Sequence, residues 1–296
     1  MHHPLVSVAM CTYNGEKFLH EQLDSILNQT YKNIEIVIVD DGSADNTIAI
    51  IEDFATRDNR IKLFRNERNL GFNKNFEKAL SLTSGDFIAV SDQDDIWLED
   101  KISLLLENIK DNWLIFSNSS YMGGHRHCRL LNNFKLPKNY KGVLLRNHVT
   151  GHTVLLRREL LNYAVPFPAK GYYDWWMGFV ASYYRKIVFL DKVLTMYRVH
   201  SDSVVQSRIE SGEIQKKEHQ DTLDMLDAFS SYKNLEPKDK IFIGQLKEVY
   251  PFRGVKEQSG PLVKLIAKHY SSLFPNRKPW KVLTKHFFAR KFSNKL

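Results

Sequence analysis

Four short apolar, β-branched runs alternate with amphipathic stretches over the first 110 residues. The runs are VSVAMCT, IEIVIVDD, IKLFRN and FIAVSD, and the stretches are EKFLHEQLDSILNQ, NTIAIIEDFATR, NKNFEKALSLTS and LEDKISLLLENIK. Runs of this length without a polar face are typical of strands buried in a sheet, and the stretches have the spacing of helices. The alternation predicts an α/β fold with a mostly parallel sheet flanked by helices.

The second half of the chain is less regular. GYYDWWMGFVASYY has a helical pattern, and KIVFLDKVLTM reads as a strand. Beyond Ser207, EIQKKEHQDTLDMLDAFSSY and PKDKIFIGQLKEVY predict amphipathic helices, the second with a proline at its start. HRHC, at 125–128, has residue types that bind metals but a spacing too tight for a metal site, and we expect a loop.

The composition is that of an ordinary soluble protein. MHHPLVSVAMCTYNG does not resemble a signal peptide, and no run approaches the roughly 18 apolar residues that span a bilayer. The two cysteines, Cys11 and Cys128, suit a reducing compartment. We expect a cytoplasmic protein.

The net charge of +8 is concentrated at the end of the chain. Residues 252–296 contain eleven Lys or Arg and one Glu, a local charge of +10, so the rest of the chain carries −2. LVKLIAKHYSSLF and WKVLTKHFFARKF mix these cations with large apolar residues, as in amphipathic helices that lie on anionic membranes. The alternatives are helices docked on the protein with a solvated basic face, or a basic patch for nucleic acid.

Polar residues follow three of the predicted strands at the point where each strand ends. The first strand leads into Thr12, Tyr13 and Asn14, the second into Asp40 and Asp41, and the fourth into SDQDDIWLEDK. Ligands of parallel sheets bind beyond the carboxyl ends of the strands, so we expect these ends to converge on one site. The alternative for the Asp-Gly-Ser segment is a simple turn that caps the next helix.

The stretch SDQDDIWLEDK places Asp92, Asp94 and Asp95 close enough to repel one another. No GxGxxG or GxxxxGK[ST] motif supplies another phosphate site. A divalent cation, Mg²⁺ or Mn²⁺, held by Asp94 with Asp92 or Asp95 would neutralise both the carboxylates and a diphosphate. The alternative is a solvated turn before a helix with an acidic start.

Asp174 is an isolated acid among aromatic residues. Tyr173, Trp175 and Trp176 would partly desolvate its carboxylate and make it a better base near neutral pH. The alternative is that Asp174 caps a helix and that the aromatic residues belong to the core.

Taken in order, VSVAMCTYNG, SILNQTYKNIEIVIVDDGSADNT, RNERNLGFNKN and FIAVSDQDDIWLEDK resemble the family 2 glycosyltransferases, over about residues 5 to 205. These are inverting enzymes of the GT-A fold that use nucleotide-diphospho sugars. The resemblance implies a nucleotide site that comprises Thr12, Tyr13, Asn14, Asp40, Asp41, Asp92 and Gln93. It implies metal ligands among Asp92, Asp94, Asp95 and His200, a diphosphate contact at Arg198, a base at Asp174, and acceptor contacts at His152, Tyr173, Trp175 and Trp176.

Two of these assignments have structural alternatives. His200 follows Arg198 in YRVHSDS, and a lone histidine is more often structural than a ligand. His152 lies in a GHT segment that reads equally well as a turn into a strand.

The resemblance also implies a domain organisation and a reaction. We expect a GT-A domain at 1–207, with a nucleotide-binding half at 1–110 and an acceptor and catalytic half at 111–207, and a basic helical extension at 208–296. The motif SDQDDIW is similar to that of family members that use dTDP-L-rhamnose. The alternative donors are a UDP-hexose or a UDP-N-acetylhexosamine. The acceptor would be a saccharide or lipid-linked saccharide in cell-surface polysaccharide synthesis, at the inner face of the membrane. The rival classes are a sugar nucleotidyltransferase and a non-catalytic sugar-binding protein on the same fold.

Overall fold

The computed structural model describes residues 3–122, 131, 134–200, 214–277 and 282–294. They form two compact units whose segments alternate along the chain. The sheet unit falls within Met1–Asn133, Val149–Ala169 and Lys186–His200, and the helical unit within Phe134–His148, Lys170–Arg185 and Ser201–Leu296. The expected domain boundary at residue 207 does not coincide with this division into two units, and it stays a prediction. The HRHC motif at 125–128 lies outside the described residues.

The sheet unit is built on one sheet, to which the described residues contribute eight strands. In chain order they are β1 (Val6–Thr12), β2 (Ile34–Asp40), β3 (Ile61–Arg65), β4 (Phe87–Ser91), β5 (Ile96–Trp97), β6 (Leu114–Tyr121), β7 (Val154–Arg157) and β8 (Ile187–Tyr197). Their order across the sheet is β3-β2-β1-β4-β7-β6-β8-β5. Strands β1 to β4 are parallel, as are β6 and β8, whereas β7 and β5 run antiparallel to their neighbours. The predicted mostly parallel sheet is confirmed.

Helices cover this sheet because each presents one apolar face. They are α1 (Leu19–Leu27), α2 (Thr47–Arg57), α3 (Phe72–Leu82) and α4 (Lys101–Ile109). A short helix, α5 (Leu161–Ala164), follows β7. In α1 the buried face is formed by Leu19, Leu23 and Ile26, at the i, i+4, i+7 spacing of one helical stripe. All seven residues of β2 are buried, as a strand covered on both faces requires. The four predicted strands and four predicted helices of the first half are confirmed.

The strand register brings three chain segments to one edge of the sheet. Thr12 of β1 pairs with Asp40 of β2, and Met10 of β1 pairs with Ser91 of β4. Because these strands are parallel, the residues that follow them leave the sheet on the same side. This carboxyl edge carries the candidate site.

The helical unit contains the helices predicted for the end of the chain and the one predicted around Asp174. They are α6 (Tyr173–Tyr183), α7 (Ile214–Ser230), α8 (Pro237–Val249), α9 (Gly260–Leu273) and α10 (Val282–Ser293). Aromatic rings form its core: Phe179 stacks on Phe229 at 4.2 Å between centroids, and Trp176 lies parallel to Phe229 at 6.3 Å. Within the described part of the chain, no helix combines the length and the hydropathy needed to span a bilayer.

Candidate functional site

Asp40 organises the turn that follows β2. Its Oδ2 accepts a hydrogen bond from Thr12 Oγ1 at 2.9 Å, and its Oδ1 accepts from the backbone N–H groups of Gly42 and Ser43. The carboxylate is buried, and these donors satisfy it as in an Asx turn. The Asp-Gly-Ser segment therefore forms a turn, but the cap position of α2 is Asn46, which makes no side-chain cap hydrogen bond. A contact of Asp40 with a nucleotide base stays a prediction.

Asp41 also fixes backbone rather than facing solvent. Its carboxylate accepts from Asn66 Nδ2 at 2.7 Å and from the N–H groups of Leu70 and Gly71 at 2.8 and 2.9 Å. Gly71 has φ of +78°, a conformation that glycine adopts without strain. Asp41 thus holds the loop between β3 and α3 next to the candidate site, and a direct nucleotide contact stays a prediction.

The ends of β1 and β4 are joined by a side chain. Gln93 Oε1 accepts from Tyr13 N at 2.8 Å, and Gln93 Nε2 donates to Tyr13 O at 3.1 Å. The neighbouring Asn14, with φ of +49°, accepts from Ala44 N through its Oδ1 at 2.9 Å. The side chain of Tyr13 is half exposed. The structure therefore brings all three strand ends together, with an exposed aromatic ring at their rim.

Asp94 contacts two residues that follow β8. Its Oδ2 lies 2.9 Å from His200 Nε2, and its backbone oxygen accepts from Arg198 Nε at 2.9 Å. The backbone N–H of Arg198 donates to Asp95 Oδ1 at 3.0 Å, and its guanidinium pairs with Glu21. The predicted metal and diphosphate residues Asp94, Arg198 and His200 thus form one cluster.

His152 lies with the acidic residues of the sheet unit. Its Nδ1 is 3.8 Å from Asp95 Oδ2 and 3.9 Å from Asp92 Oδ2, and its Nε2 is 3.1 Å from Ser119 Oγ. Its ring stacks on that of Tyr197. Burial, reinforced by Lys101, lowers the pKa of His152 to about 3, so the imidazole is neutral at pH 7. A neutral imidazole is the form that can bind a metal.

Asp95 is the most buried member of the cluster. It has no exposed surface, and its Oδ2 has no hydrogen-bond partner among the described residues. Burial, with Asp92 and Asp94 nearby, raises its pKa well above the ordinary value. A buried carboxylate oxygen without a partner is costly unless a cation or a donor reaches it.

The residues of this cluster fit a divalent cation. Asp92, Asp95 and His152 each direct one ligand atom into a space where these atoms lie within 4.8 Å of one another, and Asp94 and His200 stand beside them. Carboxylate oxygens are the preferred ligands of Mg²⁺ and Mn²⁺, and the partnerless Asp95 Oδ2 is a position that such an ion would satisfy.

Lys101 is part of this site, although our sequence analysis did not identify it. Its side chain is fully buried, and its Nζ donates to the backbone oxygen of His152 at 2.6 Å. A signal was present in the pattern, because Lys101 occupies the same stripe of α4 as the buried Leu105 and Ile109. A lysine on the buried stripe of a helix needs a hydrogen-bond partner or a neighbouring charge, because burying an unpaired ammonium is costly.

Asp174 belongs to the helical unit and does not cap its helix. The cap position of α6 is Tyr172, and Asp174 lies in the first turn. Its Oδ1 accepts from Asn147 Nδ2 at 3.1 Å and from Trp175 N at 2.6 Å. These contacts fix the orientation of the carboxylate.

The aromatic residues beside Asp174 are buried. Tyr173, Trp175 and Trp176 are each only 5–6% exposed, and Trp175 Nε1 donates to Val143 O at 2.6 Å. Trp176 packs on Phe229. This burial favours the core interpretation over the expectation that these rings stack on an acceptor sugar.

The family model "Glycosyl transferase family 2" matches residues 7–163. The chain belongs to family 2 of the glycosyltransferases. The matched region contains the three strand ends, the acidic motif and His152, so the resemblance seen in the sequence is confirmed.

Several named proteins are similar to this family 2 glycosyltransferase. It is 33% identical over 213 residues to the Escherichia coli UDP-Glc:alpha-D-GlcNAc-diphosphoundecaprenol beta-1,3-glucosyltransferase WfgD, covering 69% of this chain and 81% of that protein. Its fold is similar to S. aureus TarS 1–349 in complex with UDP-GlcNAc, with a TM-score of 0.63, 20% identity and coverage of 98% and 88% of the two chains. It is also similar to the mannosyltransferase PcManGT from Pyrobaculum calidifontis in complex with GDP-Man and Mn²⁺, with a TM-score of 0.61, 18% identity and coverage of 99% and 88%. The predicted GT-A fold is confirmed.

Proposed function

We propose that this glycosyltransferase moves a sugar from a nucleotide-diphospho sugar to a saccharide or lipid-linked saccharide, with inversion at the anomeric carbon. The observation that carries the proposal is the cluster at the carboxyl edge of the sheet. There Asp94 contacts His200 at 2.9 Å, and Gln93 ties the acidic motif to the backbone of Tyr13. Family membership argues against the alternative of a sugar nucleotidyltransferase.

The nucleotide would lie across the three strand ends. The half-exposed ring of Tyr13 offers an apolar face for the base, and Thr12, Asn14, Asp40 and Asp41 shape the floor beneath it. Asp92 and Gln93 would approach the ribose from the acidic motif. Most of these side chains act by holding backbone in place, as their hydrogen bonds indicate.

The diphosphate would lie next to the acidic cluster. Asp94 and His200, with Asp92, Asp95 and His152 beside them, would hold Mg²⁺ or Mn²⁺, which supplies charge neutralisation for the departing nucleoside diphosphate. Arg198 adds a fixed positive charge near the same position, because its Nε is tied to Asp94 O.

Asp174 would act as the catalytic base. Its carboxylate would take the proton of an acceptor hydroxyl while the hydroxyl oxygen attacks the anomeric carbon opposite the leaving group. One carboxylate is enough for this direct displacement, whereas a retaining mechanism uses a second one as a nucleophile. The hydrogen bonds from Asn147 and Trp175 would keep Oδ1 in place during the proton transfer.

Similarity to WfgD favours a UDP-linked hexose over dTDP-L-rhamnose as the donor. The name of the relative WfgD specifies UDP-Glc, and the chain matches 81% of its length. The same name specifies a diphosphoundecaprenol-linked acceptor, which supports a lipid-linked saccharide here. The only support for a rhamnose donor is the amino-acid sequence of the acidic motif, and this donor stays a prediction.

Calorimetric titration of UDP, dTDP and GDP, with and without Mn²⁺, tests the nucleotide site directly. We expect UDP to bind in a Mn²⁺-dependent manner and more tightly than the other two. Tighter binding of dTDP would restore the rhamnose donor. If none of the three bound, the sugar-binding protein without catalytic activity would become the better interpretation.

Contact with an anionic membrane would bring the enzyme to a lipid-linked acceptor. Lys264 and Lys268 are exposed one turn apart on α9, and Arg290 and Lys291 are exposed on α10. Phe287, on α10, is 70% exposed and lies three and four residues before Arg290 and Lys291, on the same side of the helix. Cations around an exposed aromatic ring are typical of surfaces that lie on anionic lipid.

A further inference from the structure

The segment that joins the acidic motif to α4 is held by two buried glutamines. Gln22 lies on α1, and Gln29 lies two residues beyond the end of this helix; neither side chain has exposed surface. A buried amide is costly unless it is hydrogen-bonded, so both side chains need partners inside the sheet unit. Both find them along residues 91–102, at opposite ends of this segment.

Gln22 holds the end that carries the acidic residues. With every donor of its amide facing an acceptor, the side-chain nitrogen donates to the backbone oxygen of Asp95, and the side-chain oxygen accepts from Trp97 Nε1 at 3.3 Å. Ser91 Oγ lies 2.7 Å from the same amide. One side chain therefore holds the acidic stretch at both of its ends.

Gln29 holds the other end of the segment. Its Nε2 donates to Leu98 O at 2.8 Å, and its Oε1 accepts from Ile102 N at 3.1 Å. These contacts begin three residues beyond Asp95. The two glutamines thus match in residue type and in burial, but Gln22 contacts the acidic stretch, whereas Gln29 contacts the start of α4.

The stretch that Gln22 holds presents candidate metal ligands. Asp95 Oδ1 accepts from Arg198 N at 3.0 Å, whereas Asp95 Oδ2 lies 3.8 Å from His152 Nδ1. Gln22 contacts Asp95 through its backbone oxygen, so it does not take the place of a ligand. It fixes the peptide unit that follows Asp95, and with it the direction in which the carboxylate leaves the chain.

We propose that Gln22 is a positioning residue, which holds the acidic motif in the conformation that binds a divalent cation. This inference rests on the proposed function. Gln22 is neutral, so it acts on the geometry of the carboxylates and not on the charge of the site. Without its contacts the motif would have to become ordered when the cation binds, and the entropy lost in that ordering would lower the affinity. Partners that orient metal ligands typically contribute about 10- to 100-fold to metal affinity.

The test compares Gln22→Met with Gln29→Met in the full chain. Each substitution removes one fully buried amide and leaves its partners without a hydrogen bond, so both variants should lose stability. Electron paramagnetic resonance titration of Mn²⁺ alone should show at least about 10-fold weaker binding by Gln22→Met and unchanged binding by Gln29→Met. The spectrum of bound Mn²⁺ should also broaden for Gln22→Met, because a less ordered site holds the ion in a range of geometries.

Hydrogen exchange of the metal-free protein measures the order of the segment directly. Amides of residues 92–97 should exchange faster in Gln22→Met, and those of residues 98–102 should exchange faster in Gln29→Met. Circular dichroism melting establishes that each variant is folded. If Gln22→Met is not folded, Gln22→Asn carries the test, because its amide is one methylene too short to reach all three partners.

Equal Mn²⁺ affinity of Gln22→Met and the wild-type protein, or equal weakening by the two variants, would overturn the inference. The second result would assign the loss to a general loss of stability. Failure of the proposed function is distinguishable from this. If the wild-type protein bound Mn²⁺ but none of UDP, dTDP and GDP, the donor site would be wrong, and the Mn²⁺ comparison would still decide the role of Gln22. A wild-type protein that did not bind Mn²⁺ would overturn the metal site and this inference together.

Discussion

His200 Nε2 lies 2.9 Å from Asp94 Oδ2, although the two residues are 106 positions apart in the chain. The contact joins the residues that follow β8 to the acidic motif that follows β4. A histidine held against a carboxylate in this way either binds the same cation or orients the carboxylate that does. Either role would make the pair part of the proposed metal site.

We expect His200→Ala to weaken Mn²⁺ binding at least about 10-fold, because the site loses a ligand or the group that orients Asp94. Electron paramagnetic resonance titration of Mn²⁺ measures this directly. His20→Ala, which removes an exposed histidine from α1, is the control and should leave the affinity unchanged. Equal Mn²⁺ affinity in the wild-type and His200→Ala proteins would exclude His200 from the site.

Gly15→Ala should disrupt the junction between the first strand and the acidic motif. A Cβ at Gly15 would clash with Gln93 Oε1, which already accepts a hydrogen bond from Tyr13 N. Gln93 would have to leave Tyr13, and losing two hydrogen bonds of about 1 kcal/mol each should lower nucleotide affinity about 10-fold or more.

Calorimetric titration of UDP checks this prediction. Gly244→Ala is the matched control, since nothing lies within 4 Å of a Cβ there and the residue is inside helix α8. That variant should bind UDP normally and melt at the same or a slightly higher temperature. Unchanged UDP binding by Gly15→Ala would mean that Gln93 can move without consequence for the site.

Asp174→Asn should abolish sugar transfer and leave nucleotide binding intact. The asparagine keeps an Oδ1 that accepts from Asn147 and Trp175, but it cannot take a proton. Loss of a general base costs about 10²- to 10⁴-fold in rate. Turnover with donor and acceptor, measured beside UDP affinity, tests the assignment, and near-normal turnover would show that another group is the base.

The first half of the fold could be predicted because buried parallel strands produce apolar runs that local sequence reveals. The convergence of Thr12, Asp40 and Ser91 followed from the parallel arrangement alone. The place of His152 could not be predicted, since it depends on how β7 pairs between β4 and β6. These pairings run antiparallel and join residues distant in the chain.

Contacts that form only on folding also explain two other differences between the sequence analysis and the structure. Lys101 could not be assigned to the site from sequence because its hydrogen-bond partner, the backbone oxygen of His152, is 51 positions away in the chain. The aromatic residues near Asp174 suggested a sugar platform, yet nine of the eleven residues of α6 are buried. A helix that is apolar on nearly every side is typical of a core helix.

Glu35 makes stability depend on acid pH. Burial disfavours its ionised form, but hydrogen bonds from Lys62, Ser7 and Ser84 outweigh burial and lower its pKa from 4.5 to about 2. A lowered folded-state pKa adds stability that is present above pH 4.5 and is lost as the pH falls towards 2. Because Lys62 is half exposed, we expect about 2 kcal/mol rather than the full shift.

Urea denaturation of Glu35→Gln against the wild-type protein at pH 7 and pH 3 measures this contribution. The variant should be less stable at pH 7, and the difference should shrink at pH 3. Glu107→Gln, at an exposed position of α4, is the control and should change stability by less than about 0.5 kcal/mol. A stability difference that did not depend on pH would assign the effect of Glu35 to packing.

Phe287→Ser and the charge reversal Lys264→Glu with Lys268→Glu should each weaken sedimentation with anionic vesicles. The first removes an exposed ring from α10, and the second replaces two exposed cations on α9. Each lysine near an anionic surface contributes about 1 kcal/mol, so the double reversal should lower the binding constant for anionic vesicles at least about 10-fold. Ile241→Ser removes a similarly exposed apolar side chain from α8, outside residues 252–296, and should have no effect. Equal pelleting of all four proteins, or equal binding to neutral and anionic vesicles, would rule out membrane attachment through this surface.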